Sequence, residues 1–62
     1  MKAETLRAWR QRLGFSQREA GNALGLSLRC VQNYEGETRP IPKHVALACE
    51  ALASGLKPYG ED

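Results

Sequence analysis

Apolar residues recur at three- and four-residue spacing along most of the chain, which predicts helices and no strands. From about Ala3 to Leu13, the residues Leu6, Trp9, Arg10 and Leu13 share one face, and Gly14 follows as a residue able to take a positive φ and stop the helix. Ser16-Gln17-Arg18-Glu19 opens a second helix. The Ser hydroxyl can accept from the Glu19 amide while the Glu side chain accepts from the Ser amide, and Phe15 and Ala20 occupy the apolar flanking positions. That helix reaches Leu24, where Gly25 turns the chain. Ser27 is an N-cap for a third helix over 27–35, with Val31 and Tyr34 inward, Leu26 placed to pack on Val31, and Gly36 as its stop. Pro40 and Pro42 disfavour helix at the residues before them, so Glu37 to Ile41 reads as a loop. Pro42 suits the first position of a fourth helix, whose stripe is Val45, Ala48, Cys49, Leu52 and Leu56. Gly55 breaks this helix, and 57–62 reads as a loose tail.

These segments predict an all-α fold, a compact bundle of four or five short helices. The chain then forms one domain over 1–56 with a flexible tail over 57–62. A core drawn from 62 residues supplies only a few kcal/mol, so a staple or a partner subunit is expected. Cys30 and Cys49 stand apart with a single histidine, His44, which is too little for a zinc site. They read as reduced thiols of a cytosolic protein. No apolar run approaches eighteen residues and no signal peptide is present, so the chain reads as soluble, cytoplasmic and unconnected to membranes. A partner subunit is left as the expected source of extra stability. One histidine, no nucleophile elbow and no phosphate loop argue against an enzyme, and no cofactor, metal or small-molecule ligand is expected.

Charge is uneven. Up to residue 48, eight Lys/Arg face four Glu, a balance of +4; beyond it Lys57 faces Glu50, Glu61 and Asp62, a balance of −2. Clustered cations favour phosphate, although charge alone does not separate that from ordinary solvated surface.

Two short helices joined by a tight glycine turn, here over about 16–35, form the helix-turn-helix pattern. The run Gln17-Arg18-Glu19-Ala20-Gly21-Asn22-Ala23-Leu24-Gly25-Leu26-Ser27-Leu28-Arg29-Cys30-Val31-Gln32-Asn33-Tyr34-Glu35, with Leu13-Gly14-Phe15-Ser16 before it and Gly36 after, resembles the Cro/C1 repressor family. The likeness extends from Leu6 to about Leu52. It departs at Gly21, where the family usually has alanine, although either is small enough for the helix crossing.

The resemblance implies that helix 27–35 enters the major groove of double-stranded DNA. Leu28, Arg29, Gln32 and Asn33 are then the base-contacting set. Arg29 has the fork for guanine, Gln32 or Asn33 can pair with adenine, and Leu28 either touches a thymine methyl or turns into the core. Gln17 and Arg18 at the start of the second helix, with Thr38, Arg39 and Lys43 after the third, are implied as phosphate contacts. Arg10 sits on an apolar stripe, where the family pairs an arginine with the glutamate closing the recognition helix, here Glu35; the pair is structural. Trp9 and Tyr34 stand at core spacing rather than as stacking platforms.

Four base-reading side chains are too few for tight operator binding, so the chain is expected to work as a homodimer on an inverted repeat. Leu47 and Ala51 lie off the core stripe of the fourth helix and supply the expected dimer contact, unless Leu47 merely broadens that stripe. The implied function is a transcriptional repressor of the kind found in phages and mobile elements. The alternative is an antitoxin-like protein whose main role is to bind a partner protein.

Overall fold

The computed structural model describes residues 1–61. Among them the chain is all-α, with α1 over Ala3–Arg12, α2 over Gln17–Leu24, α3 over Leu28–Glu35 and α4 over Lys43–Ala53. Side chains and turn geometry fix the helix starts and stops. At α2 the capping box is complete, with the Glu19 amide donating to Ser16 Oγ at 3.1 Å and the Ser16 amide to Glu19 Oε1 at 2.8 Å. At α3 the Cys30 amide donates to Ser27 Oγ at 3.1 Å. Each bond satisfies an amide that lacks a partner within its helix.

Three helices end in the same way, with two amides past the end turning back onto carbonyls of the last turn. In α1 these are Gly14 to Gln11 and Phe15 to Arg10; in α4 they are Gly55 to Leu52 and Leu56 to Ala51. The turn needs a left-handed residue, supplied there by Gly14 (φ 74°) and Gly55 (φ 73°). In α3 the matching bonds run from Glu37 to Tyr34 and from Thr38 to Asn33, and the left-handed residue is Glu37 (φ 62°). Gly36, expected as the stop, keeps an ordinary φ of −85°. The stop therefore falls one residue later, on a side chain that is strained there by roughly 1 kcal/mol.

Two expectations for α4 are corrected. Pro42 is its N-cap rather than its first helical residue, because its ψ of 154° is extended while its carbonyl accepts from the Val45 and Ala46 amides. Leu56 does not join the core stripe. The left-handed turn at Gly55 carries it past the helix and leaves it 62% exposed.

Leu6, Tyr34, Val45 and Cys49 form the buried core, with Trp9, Leu24, Leu26, Cys30 and Ile41 packed against it. Trp9 Nε1 donates to the Cys49 carbonyl at 2.9 Å, tying α1 to α4, and its ring meets Phe15 edge-on with centroids 6.0 Å apart. Both cysteines are free, and burial pushes the Cys49 thiol up to about 11. It therefore stays protonated and inert at neutral pH.

The α2–α3 crossing turns on Gly21. A Cβ there would lie 2.7 Å from the Leu26 carbonyl oxygen and 3.4 Å from Val31 Cγ2. Alanine gains about 1 kcal/mol of helix propensity but forces a backbone carbonyl to move, and overpacking costs typically 1–3 kcal/mol. Gly21→Ala should therefore lower the thermal midpoint by several degrees. An unchanged or higher midpoint in calorimetry would show that the turn yields freely.

Candidate nucleic-acid interface

The C-terminal end of α3 is held by a polar cluster around Glu35, a buried carboxylate only 5% exposed. From α1, Arg10 grips it with both prongs, Nε to Oε2 at 2.8 Å and Nη2 to Oε1 at 3.1 Å. The third nitrogen of the same guanidinium, Nη1, donates to the Phe15 carbonyl at 3.0 Å. From α2, Gln17 Nε2 donates to Glu35 Oε1 at 3.2 Å. Arg7 Nη2 donates to the Glu35 main-chain carbonyl at 2.9 Å, and its Nε lies 3.8 Å from Oε1. One carboxylate thus joins three helices.

Burial is the largest single influence on Glu35 and opposes its ionisation. The hydrogen bonds from Arg10 and Gln17, then the charges of Arg10 and Arg7, together outweigh it and hold the carboxyl below its ordinary range. The reciprocal bond from Glu35 raises the Arg10 pKa.

Sequence reading singled out Arg10 and Glu35 in this cluster and missed Arg7. Its spacing of three from Arg10 places both on one side of α1, and that was the available signal. The side chain of Gln17, expected on phosphate, is instead half-buried and committed to Glu35. At the start of α2 the capping box engages the amides of Ser16 and Glu19, while those of Gln17 and Arg18 have no acceptor within the helix.

Val31, Tyr34 and Glu35 form the inward face of α3. Arg29 and Gln32 are exposed, and Leu28 and Asn33 are half-buried. Arg29, Gln32, Asn33 and Gly36 follow the one-three-four-three rhythm of a single outward stripe. Arg29 joins no ion pair among the described residues. Asn33 is not free. Thr38 Oγ1 donates to its carbonyl at 3.1 Å and lies 3.3 Å from its Oδ1. Two residues expected to act separately, one on a base and one on a phosphate, are therefore tied together. Arg18, Arg39 and Lys43 are exposed.

On α4, Leu47 is 61% exposed and Ala51, one turn later, is half-buried. Leu47 therefore lies outside the core. A cleft of about 630 Å³ between the start of α1 and the loop after α3 carries Lys2 and Arg39 against Glu4 and Glu37, with Arg7 occupied by Glu35. It has no surplus charge to select an ion. Among the described residues no His, Cys, Asp and Glu gather in a group able to hold a metal, and no helix is long and apolar enough to cross a membrane. No family model matches this chain, and no curated protein or solved structure matches it at a significant level.

Proposed function

We propose that this chain is a sequence-specific DNA-binding regulator of the Cro/C1 helix-turn-helix type, a cytoplasmic repressor acting as a homodimer on an inverted-repeat operator. The observation that carries this reading is the setting of α3. Its inward face is buried, its C-terminal end is fixed through Glu35 to α1 and α2, and its outward stripe offers Arg29 and Gln32 with no partner of their own. A rigid helix presenting a free guanidinium and a free carboxamide suits base edges in the major groove, where arginine pairs with guanine and glutamine with adenine. Asn33, steadied by Thr38, offers its remaining amide hydrogens at the far end of the same stripe. Arg18, Arg39, Lys43 and the first-turn amides of α2 supply sequence-independent contacts to phosphate. Gln17 serves this reading through Glu35, as a positioning residue.

The test separates reading from holding. On its preferred duplex, Arg29→Ala should lose roughly 1–3 kcal/mol and relax the preference at one base pair per half-site, while binding to random duplex changes little. Arg39→Ala and Lys43→Ala should weaken binding to all sequences and flatten the salt dependence by about one unit each. Equal losses for Arg29→Ala on both duplexes would reduce that residue to a phosphate contact, and unchanged salt slopes would remove Arg39 and Lys43 from the interface.

A further inference from the structure

Past α4 the chain makes a tight turn. The Glu61 amide donates to the Pro58 carbonyl at 3.2 Å, and Gly60 takes a φ of 81°. Tyr59 stands at the tip of this turn and touches nothing, with a relative exposure of 107%. A bare aromatic ring on a closed turn is a preformed knob, because little freedom is left to lose when it docks. On the other side of the molecule, α1 and α4 leave an open groove of about 330 Å³ lined by Ala8, Trp9, Cys49 and Ala53, with Arg12 and Glu50 among its charged residues. That is room for one aromatic side chain beside the chain's single tryptophan. The charges complement each other. Lys57 and Glu61 bracket the knob, and Glu50 and Arg12 belong to the groove. In its own chain Tyr59 leaves the groove empty.

We infer that Tyr59 of one copy docks beside Trp9 in the α1–α4 groove of a second copy, with the exchange made twice about a two-fold axis. An isologous pair makes each such contact in duplicate, and a central aromatic anchor in an apolar pocket rimmed by charge is the usual form of a binding hot spot. The inference rests on the homodimer proposed above and adds a second contact to the Leu47–Ala51 strip. It makes no use of DNA.

The experiment follows Trp9 fluorescence and sedimentation of the full chain, without DNA, across a concentration series. The wild-type chain should dimerise, with Trp9 emission shifting to shorter wavelength over the same range. Tyr59→Ala should abolish the emission shift and weaken the dimer roughly thirty-fold, the scale of a hot-spot truncation. Ala8→Glu, at an exposed position of α1, should do the same by closing the groove. Mixing the two variants should restore part of the shift, because a mixed dimer keeps one knob and one groove. Three results would overturn the inference. They are a dimer whose Trp9 emission ignores concentration, an emission shift that depends on Tyr59 but not on concentration (the tail folding onto its own groove), and a chain that stays monomeric. Loss of DNA binding with these signals intact would instead fail the regulator reading alone.

Discussion

Arg10→Met should leave the chain largely unfolded at 37 °C. The substitution strands the Glu35 carboxylate in a buried site, and breaking a buried pair from one side costs about 3–5 kcal/mol. A 62-residue core has little more than that in total. Arg7 and Gln17 remain, but Arg7 reaches Oε1 only at 3.8 Å and Gln17 brings no charge. Adding Glu35→Leu should recover much of the loss, since an apolar pair replaces an ionic one. Recovery should stop short of complete, because the Phe15 carbonyl loses its Arg10 donor and the Gln17 amide its acceptor.

The acid limb of the stability curve gives an independent reading of the same cluster. Glu35 is held below its ordinary range in the folded chain, so its contribution is full above the unfolded-state value of about 4.3 and is lost as pH falls through the lower folded value. The wild-type chain should therefore lose stability in acid more steeply than the double variant. Denaturant midpoints for the four chains of the cycle, at neutral and acid pH, provide the check. Strictly additive losses at neutral pH would contradict a coupled pair.

Leu47→Glu should give a folded, helical monomer whose operator affinity is reduced by orders of magnitude. Leu47 is 61% exposed, so a carboxylate there disturbs no core packing. In a two-fold pair the same substitution sets two like charges against each other in an apolar contact and removes the anchor from both sides. Each half-site then binds alone, and the advantage of joining two half-sites, commonly 10²–10⁴-fold, is lost. Circular dichroism should be unchanged while sedimentation shifts to the monomer. A variant that remains a dimer would take Leu47 out of the interface.

Much of the fold could be read from the sequence because its signals are local. The Ser16–Glu19 box, the glycines at 14, 25 and 55 and the prolines at 40 and 42 each act within a few residues, and they bound the four helices closely. The Arg10–Glu35 pair spans 25 residues and came from the family resemblance, since no spacing rule links positions so far apart. What escaped reading depends on where chains meet in space. Arg7 looked like one more surface cation, Gln17 like a phosphate ligand, and neither position announces a shared carboxylate on α3. Leu56 fits the apolar rhythm of α4 and loses its place only because Gly55 turns left-handed one residue earlier. Glu37 breaks the glycine preference of helix ends, so the rule pointed to Gly36. The groove beside Trp9 is formed by two helices 40 residues apart in sequence and had no signature at all.

The decisive measurement for a DNA-binding function is selection from a pool of random duplexes by the full chain at moderate salt, followed by sequencing and titration of the enriched duplex. An inverted repeat should emerge, with half-sites about one helical turn apart and at least one guanine per half-site whose preference disappears in Arg29→Ala. Binding to it should be far tighter than to random duplex and should fall steeply with salt. A pool that stays random after repeated rounds, with no salt-sensitive binding to duplex at low ionic strength, would contradict a role in reading DNA.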